Sequence, residues 1–210
     1  EPILQKWLAR AKKEKLLHPA VAYGYFPSGR DGNAVVVFKP KGGAELGRFD
    51  VPRQRSGNRY CIADFFRDLK EGQPCDVLPM QAVTMGEEAS RFSQELFRKD
   101  AYSDYLFFHG LAVQMAEALA EWTHARIRRE CGFSDPNGMP LRDVFAQRYR
   151  GSRYSFGYPA CPNVADSRQQ LEWLQADRIG LTMDESDQLH PEQSTTALVA
   201  LHSNARYFSA

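Results

Sequence analysis

The chain has 210 residues, enough for one large domain or two small ones, and its 43% hydrophobic and 12% aromatic content is ample for a core. Its 27 basic and 26 acidic residues leave a formal charge of +1, so neither the basic footprint of a nucleic-acid binder nor a polybasic membrane anchor is present. No apolar run approaches the length of a membrane span, and no signal-peptide pattern is visible. The four cysteines, Cys61, Cys75, Cys131 and Cys161, form no CxxC and no zinc-spaced Cys/His cluster. They read as reduced thiols, as expected of a cytoplasmic protein.

Residues 3–17 show helical spacing of Ile3, Leu4, Trp7, Leu8, Ala11 and Leu16, and Pro19 stops the helix. Residues 21–26 and 34–38 predict two strands of a hairpin, joined by a long turn over 27–33. A turn at 39–43 precedes a weaker strand at 46–51. The basic stretch 52–59 reads as a solvated loop, and 62–69 as a short helix. Residues 77–85 suit a strand that Pro79 pushes to a sheet edge or makes start late.

Helices follow at 86–97 and 102–130. On the long helix, Phe107, Leu111, Met115, Ala118 and Trp122 line up at helical period as the expected core stripe. Gly110, Gln114, Glu117, Glu121 and His124 form a polar strip on its flank. A short helix over 141–149 feeds the next loop, a helix spans 166–175, and strands are expected at 195–201 and 207–208. Strands, then helices, then strands imply an α+β fold: a twisted antiparallel sheet with flanking helices, including one long helix, and not a Rossmann arrangement. No GxGxxG follows a strand, so the dinucleotide-type cradle is absent.

The densest stretch is Arg150 to Pro162, R-G-S-R-Y-S-F-G-Y-P-A-C-P. Pro159 and Pro162 bar a helix, while Gly151 and Gly157 allow backbone angles a Cβ would block. An extended, stiff loop holding Arg153 suits a small ligand with a carboxylate and a flat ring. A plain connector between elements has the same composition. Cys161 has no neighbour that would make it a nucleophile and reads as a small packing residue.

Arg153-x-x-x-Gly157-Tyr158-Pro159-Ala160-Cys161-Pro162 resembles the S-adenosylmethionine-binding signature of the reactivation domain of cobalamin-dependent methionine synthase. Y-C-I-A-D-F at 60–65, Asp184-Glu185-Ser186 with H-P-E-Q-S-T-T-A at 190–197, and Ala205-Arg206-Tyr207-Phe208-Ser209 are similar to further blocks of that family, in family order. The resemblance covers nearly the whole chain and implies one reactivation domain, 1–210, excerpted from a longer multidomain chain. It implies that Arg153, Ser155, Gly157, Tyr158, Pro159, Ala160, Glu117 and Tyr207 bind S-adenosylmethionine, Glu117 by balancing the ligand's positive charge and Tyr158 by its backbone.

It further implies that the domain presents the methyl group for reductive remethylation of inactive cob(II)alamin, restoring methionine synthase for homocysteine methylation. Cobalamin would be held by a neighbouring domain of the same enzyme, and the electron would come from flavodoxin or a similar donor. The chain departs from some members in having Gln147 for a glutamate and Phe208 for a second tyrosine, and it starts after, or lacks, an N-terminal segment that supplies an acidic contact in longer members. Two other readings stay open at this point. One is a helical metal-dependent oxidase built on Glu117, Glu121 and His124, which lacks a second ExxH. The other is a free-standing corrinoid-reactivating protein.

Overall fold

A computed structural model describes residues 2–40 and 43–209. In chain order the elements are α1 (Pro2–Glu14), β1 (Ala20–Asp31), β2 (Ala34–Phe38), β3 (Glu45–Asp50), a 3-10 turn at Ile62–Phe65, β4 (Asp76–Thr84), α2 (Glu87–Arg98) and α3 (Tyr102–Glu130). They continue as α4 (Leu141–Phe145), β5 (Ser152–Tyr154), α5 (Asp166–Leu174), a 3-10 turn at Ala176–Ile179, β6 (Thr182–Met183), β7 (Leu189–His190) and β8 (Ser194–Ala200). Six strands form one sheet in the order β3-β2-β1-β4-β8-β5, and β6 and β7 form a separate ribbon. Neighbours β1/β2, β2/β3 and β5/β8 run antiparallel. The expected α+β class with an antiparallel sheet and one long helix is the observed one. No described helix is long and apolar enough to cross a membrane.

The chain divides into two compact units: Glu1–Ala22, Ala82–Trp122 and Leu171–Thr195 make the first, and Tyr23–Gln81, Thr123–Gln170 and Thr196–Ala210 the second. In the first, Trp7 and Ala11 of α1 pack with Ala89, Phe92 and Leu96 of α2 and with Phe108, Leu111, Ala112 and Ala116 of α3. Phe92 meets Phe108 edge-on at 4.8 Å between ring centroids, and Trp7 lies 5.8 Å from the same ring. Such aromatic pairs add to the apolar burial that holds the helices. Buried Gln193 accepts from Ser90 Oγ at 2.7 Å, and the Gln193 backbone oxygen accepts from Met85 N at 3.0 Å.

The second unit is built on β2, whose five residues are all buried. Phe49 of β3 packs on Phe156 at 5.1 Å. Gln170 of α5, fully buried, donates to the backbone oxygens of Gln81 and Ala197 at 2.9 and 2.8 Å.

Several expectations are corrected. The hairpin turn is short: Asp31 pairs with Ala34, leaving only Gly32 and Asn33 between the strands. Gly32 adopts φ +60, the left-handed angle that such two-residue turns demand. Residues 27–31 therefore belong to β1 and not to a loop. Lys41 and Gly42 of the expected second turn lie outside the described residues. The helix expected at 62–69 is a single 3-10 turn. Strand β4 is interior, between β1 and β8, although it contains Pro79. Burial of Leu78, Met80, Ala82 and Val83, all fully enclosed, outweighs one missing donor. The helix at 141–149 stops at Phe145, and residues 207–208 form no strand.

The largest correction concerns α3. Of its expected stripe only Leu111 is buried; Phe107 and Trp122 are 46% and 58% exposed, and Met115 and Ala118 are exposed too. The buried line is Phe108, Ala112, Ala116, Ala120 and His124, an i+4 ridge. Small alanines on it let other elements approach closely. Close backbone packing outranks side-chain bulk in choosing the face.

Candidate functional site

The stretch 150–162 begins as a strand, not a free loop. Ser152, Arg153 and Tyr154 pair with Ala200, Val199 and Leu198 of β8. Gly151 precedes them at φ +88, and a Cβ there would come within 2.6 Å of the Ala200 carbonyl oxygen. Glycine is required for both reasons. After Tyr154 the chain closes a small turn: Gly157 N donates to Cys161 O at 3.0 Å and Cys161 N to Tyr158 O at 2.9 Å. Gly157 holds φ +89. The Cys161 thiol donates to Ser155 O at 3.0 Å, and burial pushes its pKa up to about 12. It is a protonated packing group and not a nucleophile. The backbone expected to be extended is so only over Ser152–Tyr154, after which it turns, held by its own hydrogen bonds.

Three of the sequence blocks meet here. Tyr60 and Phe65 from 60–65, Tyr154 from the loop and Phe208 from the C-terminal block form one aromatic cluster. Phe65 stacks on Tyr154 at 6.3 Å, and Phe208 lies 6.0 Å from Tyr154 and 5.7 Å from Tyr60. The Tyr154 hydroxyl donates to Arg206 O at 2.8 Å, and burial, its largest influence, raises its pKa strongly. This anchors the segment that carries Tyr207. Tyr207 itself is 45% exposed, with its phenol pKa raised by partial burial and by the nearby Tyr158 and Cys161. Tyr158 thus lies near enough to influence Tyr207, although the strand expected at 207–208 does not form.

Pro159 and Pro162 border a cleft of about 560 Å³ whose other walls are Pro52, Arg53, Gln54, Arg55, Ser56 and Ser209. The basic stretch 52–59, expected as a solvated loop, therefore lines a concavity. Arg53 is fixed: it forks onto Asp64 at 2.6 and 2.7 Å and reaches Asn33 at 3.0 Å. Arg30 joins from the other side of Asp64 at 3.1 Å. These guanidiniums, Arg53 first, hold the Asp64 carboxyl below its ordinary pKa. Arg55 is exposed at the cleft.

Tyr158 and Pro159 are exposed, Ala160 is buried, and Arg153 and Ser155 are half-buried. Arg153 and Arg128 both lower the pKa of fully buried His124, after burial itself. His124, expected on a polar flank, is thus enclosed and neutral. Sequence reasoning passed over Arg128 as well, which is 1% exposed and bonded to Asp135. No periodicity ties it to Asp135, which lies beyond the end of α3.

Glu117 belongs to the first unit and is half-buried on α3. Among the described residues no group of three His, Cys, Asp or Glu side chains converges to hold a metal. Glu121 and His124 therefore have no third ligand, which an oxidase would need.

The α+β scaffold thus carries a strand-borne arginine, a glycine-proline turn beside a cleft, and an aromatic anchor. The model of the family "Vitamin B12 dependent methionine synthase, activation domain" matches residues 4–210. The chain belongs to this family. It is 46% identical to methionine synthase of Mycobacterium tuberculosis and 47% identical to that of Mycobacterium leprae. Both alignments cover 99% of this chain and 18% of the relative, so the chain spans less than a fifth of those proteins. The fold is similar to a crystal structure of the MetH reactivation domain bound to AdoHcy, with TM-score 0.86 at 24% identity over 98% of this chain and 65% of the other.

Proposed function

We propose that this domain binds S-adenosylmethionine at the Arg153–Pro162 loop and presents the methyl group to a cobalamin held by a neighbouring domain, reactivating methionine synthase. The observation that carries the reading is the loop that follows Arg153: Gly157 is left-handed, Tyr158 is exposed, and Pro159 and Pro162 border a cleft of about 560 Å³, room for an adenosyl amino acid. The similar MetH reactivation domain is bound to AdoHcy. Arg153 forks onto the ligand carboxylate. The backbone around Ser155, Gly157, Tyr158 and Ala160 reads the adenine edge, Pro159 walls the cleft, and the Tyr207 ring covers the ligand.

A cobalamin held by the neighbouring domain would supply the nucleophile that accepts the methyl group, and a protein such as flavodoxin would supply the electron. This chain's residues perform no proton transfer. They bind, orient the sulfonium methyl outward and exclude water, so positioning supplies most of the rate benefit. Glu117 is assigned to binding: a carboxylate pressed on the sulfonium would stabilise the charged ground state more than the transition state.

Titration calorimetry with S-adenosylmethionine tests the reading. Arg153→Ala is expected to weaken binding at least about tenfold, the scale of a lost charged hydrogen bond. Unchanged affinity in a folded variant removes the proposal.

A further inference from the structure

Arg128 is buried to 1% exposure, yet it is a full charge. Its Nε donates to Asp135 Oδ1 at 2.9 Å and Nη2 donates to Oδ2. Its guanidinium carbon stands 3.7 Å from the centroid of the Tyr149 ring. One helical turn earlier, fully buried His124 meets the same ring edge-on, 5.3 Å away at 89°. Tyr149 is therefore clamped by a cation and by an imidazole set perpendicular to it. The residue after it, Arg150, is tied as well: its Nε donates to Leu201 O at 2.8 Å and its guanidinium lies 4.0 Å from the Phe133 centroid. Gly151 then turns the chain into β5 and Arg153.

As a source of stability this arrangement is poor. Buried ion pairs gain little over well-packed apolar groups. The two ring nitrogens of His124 have no hydrogen-bond partner among the described residues, and an unsatisfied buried group carries a cost. What such a clamp does well is fix direction, because a planar guanidinium and a perpendicular ring leave Tyr149 one orientation.

We infer that Tyr149, held by Arg128 and His124, is a positioning residue that sets where Arg153 stands for the ligand. The inference rests on the proposed role of Arg153 and extends it to residues that do not touch the ligand themselves. His124 suits the task in its neutral form: facing Arg128, Tyr149 and Arg153, it adds no third positive charge.

The test uses the whole chain, S-adenosylhomocysteine as probe, and three variants beside Arg153→Ala. Affinity is read by calorimetry below each variant's melting temperature, and trypsin cleavage after Arg150 and Arg153 reports loop order. Tyr149→Leu is expected to weaken binding about fivefold to tenfold and to speed cleavage, since a misplaced charged contact loses most of its worth. Tyr149→Phe, which keeps the ring, is expected to stay within about threefold of the parent, since the clamp holds the ring and not the hydroxyl. Should Tyr149→Leu not fold, Arg128→Lys decides: it keeps the charge but loses the flat fork, and is expected to weaken binding by a similar factor. If Tyr149→Leu, or Arg128→Lys in its place, binds within twofold of the parent while Arg153→Ala binds weakly, the inference fails and the assignment of Arg153 survives. If Arg153→Ala also binds normally, both fall together.

Discussion

The second unit contains two arginine clusters that differ chiefly in how much water reaches them. Around Arg128 the guanidinium is 1% exposed, its partner Asp135 is 21% exposed, and an aromatic ring caps it. Around Asp64, Arg30 and Arg53 keep 31% and 30% of their side-chain surface, and the carboxylate 26%. The chemistry is the same, carboxylate against guanidinium, but the dielectric is not. Removing water raises both the attraction within a pair and the cost of leaving one member alone. The buried cluster beside the Arg153 loop is therefore the stiffer strut, and the wetter one, which fixes Arg53 along the cleft, is the weaker of the two.

The largest effect is expected where the strut is cut. Asp135→Ala takes the carboxylate away from a buried cation and should cost about 3–5 kcal/mol in urea unfolding. A loss under about 1 kcal/mol, the range of exposed pairs, would make the two clusters equivalent.

Acid separates them next. His124 has its pKa depressed, first by burial and then by Arg128 and Arg153, so the unfolded chain takes up its proton first. Stability from this group is whole above about 6.5 and is lost as pH falls below it. The parent should lose up to about 1.4 kcal/mol per pH unit in that range, and His124→Phe should lack this slope. Asp64, depressed by Arg53 first, behaves alike but lower: its contribution is whole above 3.8 and fades only as pH falls through its folded value. Chemical denaturation at a series of pH values reads both windows. A parent curve flat between pH 6.5 and 5 would remove the His124 assignment.

The smallest effect belongs to the wetter cluster at neutral pH. Asp64→Ala should cost about 1–2 kcal/mol, more than a lone surface pair because two arginines lose one carboxylate, but less than the strut. Ligand affinity in the same variant sharpens the comparison. Arg53 lines the cleft, so a modest loss of affinity of about twofold to threefold is expected when its anchor is removed.

How much of this was legible beforehand depends on whether the determining contacts are local. The bounds of α3, 102–130, follow from its periodicity and flanking signals, and the observed helix is Tyr102–Glu130. Its buried face was not legible. Bulk points to Phe107, Met115 and Trp122, whereas the elements that pack on it select the alanine ridge. Pro79 shows the same limit: a local rule places it at an edge, and the burial of its neighbours places it inside the sheet.

At the site, the glycine and proline spacing of 150–162 identified the loop, because backbone angles are properties of single residues. Gly151 and Gly157 do hold the left-handed values that spacing suggested. The short strand at 152–154 was hidden, since it exists only through its pairing with β8. Tyr207 was read as part of a strand and lies in an irregular segment, anchored by a bond between Tyr154 and Arg206.

By itself, then, the sequence determined the class of fold, the long helix, the stiff loop and the family to which they belong, all carried by residue type and short-range spacing. Only tertiary structure decided which helix face is buried, that Arg53 and Pro159 share a cleft, and that Arg128, Asp135, Tyr149 and His124 form one buried stack. Burial and the dielectric it creates arise from every element packed around a group. No window of neighbouring residues contains that information.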